Sequence, residues 1–157
     1  MPSHSEQRLL PYTAAEMYAL VADIEAYPKF LPWTTAARIR TRRGFGAAGE
    51  GGEVIEADLV ISFKVFRERF GSRVTLWPAQ HRIETEYLDG PFRRMVSSWR
   101  FSERDTGCQV EFFVDFEFRN RILQGIIGVV FNDAMQRVVR AFERRAADLY
   151  GARSVFR

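Results

Sequence analysis

The chain has 157 residues, which fits one domain with a real buried core. Hydrophobic residues make up 46% and charged residues 27%, an ordinary soluble globular mixture, and the net charge of +3 gives no sign of a DNA-binding protein. Cys108 is the single cysteine, so an intrachain disulfide is excluded.

Met1 to Gln7 is polar and lacks the apolar stretch of a signal peptide, so a cytoplasmic protein is expected. Ser5 to Leu10 is a candidate first strand. Thr13 followed by Glu16 is a capping box, which predicts a short helix through about Ala22 with Met17, Leu20 and Val21 on its apolar side. Ala26 to Trp33 is a second short element, interrupted by Pro28 and Pro32. A weaker strand covers Ala36 to Arg42. Gly44-Phe45-Gly46-Ala47-Ala48-Gly49 matches G-x-G-x-x-G, but a dinucleotide site needs a helix after it. The next segment reads as a strand, which favours a flexible hairpin loop.

From there the period is two. Ile55, Ala57, Leu59, Ile61 and Phe63 alternate with mostly polar neighbours, and Phe70, Val74 and Leu76 continue the pattern with Gly71 at a bulge. Ile83, Thr85 and Tyr87 form the next strand. Asp89-Gly90 is a hairpin signal before Arg93 to Phe101, whose face assignment stays open: Met95, Trp99 and Phe101 favour one face, Val96 the other. Val110, Phe112, Val114, Phe116 and Phe118 make the clearest strand, with Glu111, Asp115 and Glu117 outward. Strands joined by short turns imply an antiparallel meander. Asn120 to Tyr150 then reads as one helix, with Asn120 as N-cap and Gly151 beyond its end. Its stripe is Ile127, Phe131, Met135, Val138, Phe142 and Leu149, and at 1.5 Å per residue it spans about 45 Å. The result is an α+β arrangement.

Few residues suggest chemistry. His4 and His81 are the only histidines and neither has a second ligand at tight spacing, so no metal site is expected. His81 reads as solvated, Cys108 as an inert thiol, and the outward carboxylates as a solvated face. Arg137, Arg140, Arg144 and Arg145 read either as a solvated helix face paired with Glu143 and Asp148, or as a contact for anionic lipid or RNA phosphate. Two apolar features stand out. Ala26 to Trp33 puts three aromatics and a Leu in a proline-stiffened loop, read either as packed onto the core or as a lid over a cavity. Ile122, Leu123, Ile126, Ile127, Val129, Val130 and Phe131 are apolar on nearly every side, more than a sheet-covering helix needs. The surplus face meets a ligand, a partner subunit or a bilayer, or is simply buried under loops. Gly125 and Gly128 weaken that stretch by about 1 kcal/mol each relative to Ala.

Tyr27-Pro28-Lys29-Phe30-Leu31-Pro32-Trp33, the Phe-rich last strand and the ending Ala141-Phe142-Glu143-Arg144-Arg145-Ala146 to Leu149-Tyr150-Gly151 resemble the coenzyme Q-binding branch of the START-like superfamily, over nearly the whole chain. The same branch includes the bacterial ribosome association toxin, and the wider group is labelled polyketide cyclase or dehydrase. In some relatives the Trp of the motif is followed by Cys; here it is Thr34.

The resemblance implies a helix-grip fold: a curved antiparallel β-sheet wrapped around the long C-terminal helix, with two short helices after the first strand, as one domain over 1–157. It implies a hydrophobic tunnel that holds ubiquinone or a similar isoprenoid quinone as bound ligand, with no catalytic cofactor, no metal and no catalysed reaction. The expected tunnel residues are Leu59, Ile61, Phe70, Val74, Trp99, Phe112, Val114 and Phe116 from the sheet and Val130, Phe131, Met135 and Val138 from the helix, with Phe30, Leu31 and Trp33 as lid. Thr85 and Ser97 are the expected headgroup contacts. The role expected is a quinone carrier or chaperone supporting respiration, with peripheral contact to the cytoplasmic face of the inner membrane. The alternatives are a toxin-like protein that binds the ribosome and hinders subunit joining through the arginine patch, and a cyclase-like enzyme.

Overall fold

Alternating side chains build a sheet with one buried face, and a helix with an apolar stripe covers it. The computed structural model describes residues 3–46, 51–63 and 66–152, apart from the side chains of Phe63, Phe66 and Val130. Its strands are β1 (Ser3–Leu10), β2 (Thr34–Phe45), β3 (Gly52–Phe63), β4 (Phe66–Trp77), β5 (Arg82–Asp89), β6 (Phe92–Arg104) and β7 (Gly107–Phe118). The helices are α1 (Ala14–Ala22) and α2 (Arg121–Tyr150), with short 3-10 turns at Ile24–Lys29 and Pro78–Gln80. The strands form one seven-stranded antiparallel sheet in the order β1-β7-β6-β5-β4-β3-β2. The meander runs from β2 to β7, and β1 closes on its last strand. This is the helix-grip α+β fold.

The local signals hold. The Thr13 hydroxyl accepts from the Glu16 N–H, and the Glu16 carboxylate accepts from the Thr13 N–H. Asn120 Oδ1 accepts from the Ile122 and Leu123 N–H groups at 2.9 and 3.1 Å and so starts α2. The glycine motif lies in the β2–β3 hairpin, where Phe45 pairs with Gly52; its residues 47–49 lie outside the described residues. The pairing register slips between Gly71 and Ser72, as expected of a bulge. Gly71 also answers a close approach, because a Cβ there would run into the Arg40 guanidinium. Arg40 and Arg69 each pair with Asp58 and Asp89 across that point, and hydrogen bonds from Arg40 hold both carboxylates below their ordinary range.

The proline-containing element is a 3-10 helix from Ile24 to Lys29, the second of the two short helices expected. Four expectations are corrected, and one left open is decided. On β6, Met95, Trp99 and Phe101 face inward and Val96 outward, after a register shift near Phe92. Leu149 is 50% exposed, because the last turn of α2 buries Ala146 instead and anchors Tyr150 to the Glu16 carbonyl. His81 is half-buried in a left-handed turn, its ring 5.8 Å from that of Tyr18. Among the helix arginines, Arg137 pairs with Asp133 at 3.1 Å, while Glu143 turns to Arg8 on β1. On the outer face of β7, Asp115 and Glu117 both pair with Arg94.

Candidate ligand-binding cavity

The sheet and α2 do not meet everywhere. Between them lies a cavity of about 520 Å³, within the range of small-molecule sites. The floor is the concave face of the sheet: Leu59 and Ile61 on β3, Phe70, Ser72 and Val74 on β4, Ile83 and Thr85 on β5. Met95, Ser97 and Trp99 of β6 and Phe112, Val114, Phe116 and Phe118 of β7 continue it. The roof is α2, through Leu123, Ile127, Ala134, Met135, Val138 and Phe142. Ile24, Tyr27, Leu31 and Trp33 close one side, and Phe92 and Pro91 another.

The hollow has a local cause. The three middle strands carry Ser72, Thr85 and Ser97 at inward positions, and α2 presents Ala134 above them. Larger residues at those positions would fill the space, since protein interiors otherwise pack to crystal-like density. Trp33 is held on the wall in a left-handed backbone conformation, φ 63°, uncommon for a bulky residue. Its carbonyl accepts from the Ser62 N–H at 2.8 Å, which ties the segment to the end of β3.

Most of the residues singled out from sequence come together here. Leu31, Trp33, Leu59, Ile61, Phe70, Val74, Thr85 and Ser97 lie on the wall, as do Trp99, Phe112, Val114, Phe116, Met135 and Val138. Two do not. Phe30 packs its ring against Tyr27 and Phe142, at 6.0 and 5.3 Å, with the Arg145 guanidinium 5.3 Å from its centroid. Phe131 is buried against Phe116 at 4.9 Å and His4 at 6.4 Å, off the cavity wall. The Val130 side chain lies outside the described set. Sequence reasoning missed Ser72 and Ile83, although each continues the alternation of a strand it had identified. It also missed Leu123, Ala134 and Phe142 as wall residues, whose spacing with Ile127 and Val138 forms a helical stripe slightly rotated from the one expected.

The ionisable groups of the wall suit binding better than proton transfer. Glu68, Asp133 and Arg137 are exposed and mark its rim. Burial, with a smaller contribution from Asp23, pushes the Tyr27 phenol up, and its hydroxyl donates to the Val21 carbonyl. Off the wall, burial, with Glu103 and Glu16 adding, pushes the Cys108 thiol up to about 11. Such a thiol is a poor nucleophile at neutral pH.

Residues 10–143 match the family model described as polyketide cyclase / dehydrase and lipid transport. The chain belongs to this START-like family. Relatives with both names anticipated for the branch are found. The chain is 34% identical over 152 residues to the ribosome association toxin RatA of Rickettsia prowazekii, covering 95% of this chain and 99% of that protein. It is 29% identical over 158 residues to the mitochondrial coenzyme Q-binding protein COQ10 homolog B of Xenopus laevis, covering 97% of this chain and 61% of that protein. Among solved structures of the START-like fold, the 18 kDa protein CC1736 of Caulobacter crescentus superimposes with a TM-score of 0.79 at 34% identity, over 97% of this chain and all of that one.

Proposed function

We propose that this START-like protein binds ubiquinone, or a closely similar isoprenoid quinone, in the cavity and acts as a carrier or chaperone that supports respiratory electron transport. It works as one lipid-binding domain over 1–157 and catalyses no reaction. The observation that carries this reading is the apolar cavity of about 520 Å³ under α2. Each methylene buried there contributes about 0.8 kcal/mol, so an isoprenoid chain needs no charged partner. The coenzyme Q-binding relative supports the choice of ligand. A cyclase-type enzyme is disfavoured because the wall pairs no enclosed acid with an enclosed base among the described residues.

Such a carrier meets its ligand at a bilayer. None of the described helices is long and apolar enough to cross one, so the contact would be peripheral, at the cytoplasmic face of the inner membrane. Ile122 and Val129, 73% and 86% exposed on the first half of α2, would supply its apolar part, and exposed Arg119 and Arg121 at the helix start its basic part.

Mass spectrometry of an organic extract of the native protein tests the ligand. Quinone in the extract, or uptake of ubiquinone from detergent, is the expected result; neither would overturn the reading. A second reading, ribosome binding, has support in the RatA relatives and in exposed Arg140 and Arg144, which pair with no carboxylate among the described residues. It predicts co-sedimentation with ribosomal subunits that falls steeply with salt and is lost on charge reversal at those arginines.

A further inference from the structure

The cavity floor carries one polar spot, and it lies at the centre of the sheet. Ser72, Thr85 and Ser97 sit on β4, β5 and β6, the middle strands of the seven. Thr85 and Ser97 are direct cross-strand partners. Thr85 faces Val74, two residues from Ser72, so Ser72 is its diagonal neighbour on the other side. Direct pairs of this kind place Cβ atoms about 5 Å apart and diagonal ones about 7–8 Å. Ser72 is 3% exposed, the single fully buried polar residue of the described core. None of the three hydroxyls hydrogen-bonds to another group among the described residues, and all three residues line the cavity. Phe70, Val74, Ile83, Trp99 and Val114 surround them.

The three hydroxyls open onto the cavity, and on an otherwise apolar floor alanine or valine would serve equally well unless a ligand brings them a hydrogen-bond acceptor. The size of the hollow adds a second constraint. A cavity of about 520 Å³ encloses a drug-sized portion of a molecule, so a long-chain lipid has one end inside and the remainder along the rim. The rim holds the charges, at Glu68, Asp133 and Arg137.

We infer that Ser72, Thr85 and Ser97 form a headgroup site that takes the oxygen-bearing ring of the ligand, so that a quinone enters ring-first and leaves its chain towards the rim. The inference rests on the carrier reading and deepens it. The hydroxyls donate to ring carbonyl oxygens, with the aromatic side chains against the ring faces. The site selects for ligands with hydrogen-bond acceptors at one end and rejects hydrocarbons of equal length.

The test compares ubiquinone-2 with squalene, an isoprenoid hydrocarbon without a ring oxygen, in binding to the wild-type protein and to the Ser72→Ala, Thr85→Val and Ser97→Ala variants. Thermal unfolding checks that each variant is folded. Each substitution should weaken ubiquinone-2 binding about 3–10-fold and leave squalene binding within about twofold. The carbonyl stretch of bound ubiquinone-2, read by infrared difference spectroscopy, should move to lower frequency in the wild type and return towards its value in hydrocarbon solvent in the triple variant. Unchanged discrimination and an unshifted carbonyl band would overturn the headgroup site while leaving the carrier reading intact. Failure of the wild type to bind either compound would overturn both.

Discussion

The N-terminal half of α2 is the more apolar of the two, yet the C-terminal half is the one that is anchored. In the C-terminal half, Val139, Ala141, Phe142 and Ala146 are buried, and Phe142 meets Tyr27, Phe30 and Trp99 at 5.1–5.6 Å between ring centres. Polar contacts lock this half down: the Tyr150 hydroxyl donates to the Glu16 carbonyl at 3.0 Å, Tyr12 donates to Gly151 at 3.1 Å, and Arg8 pairs with Glu143. In the N-terminal half, Leu123 and Ile127 border the cavity while Ile122 and Val129 face solvent, and a Cβ built at Gly125 or Gly128 would meet nothing within 4 Å. One helix is thus an anchor at one end and a weakly held wall at the other. Fixing the anchored end leaves the hollow end free to yield, as a carrier whose ligand must enter and leave requires.

Four measurements would break or sharpen this contrast. Phe142→Ala should cost about 3–5 kcal/mol in denaturant unfolding, whereas Ile127→Ala, whose side chain already borders empty space, should cost under about 2 kcal/mol. Equal losses would mean that the two halves are packed alike. Filling the hollow with Val138→Trp should lower ubiquinone uptake about tenfold or more while changing stability by less than about 1 kcal/mol, because overpacking penalties arise where space is already full. Undiminished uptake would place the ligand elsewhere.

Gly125→Ala and Gly128→Ala should each stabilise the chain by about 0.5–1 kcal/mol in thermal unfolding and slow ligand exchange, by stiffening the weak half. The smallest effect concerns acid. Burial alone would raise the Glu6 carboxyl, but hydrogen bonds from His4 and Arg8 hold it below its ordinary value of about 4.3. Its contribution is therefore complete above that value and is lost as pH falls through the ordinary range towards the lowered one. Between pH 6 and pH 3 the wild type should lose slightly more stability than Arg8→Leu, in which the anchor is already cut; identical acid profiles would remove Arg8 and Glu6 from the anchoring contacts.

Much of the fold was legible because its signals are local. The capping box at Thr13, the alternation from Ile55 to Phe63 and the Asn120 cap each depend on residues within a few positions, and each element formed where expected. The site was legible in part for the same reason. Leu59, Val74, Phe112 and Val114 alternate on strands, so their shared face follows from the period alone. The aromatic loop was harder to read, because packing of the half-buried Phe30 ring against Phe142 depends on a helix more than a hundred residues later.

The sequence by itself determined the order and approximate extent of the strands and helices, which side of most of them is apolar, and which family the chain resembles. Tertiary structure decided the rest. It rotated the buried stripe of α2 so that Leu123 and Ala134 face the sheet and Leu149 does not. It brought Ser72, Thr85 and Ser97 from three strands into one spot, and it left a space above them. The physical reason is that periodicity fixes the direction of a side chain, whereas a void depends on the sizes of groups that meet only after the sheet has curved.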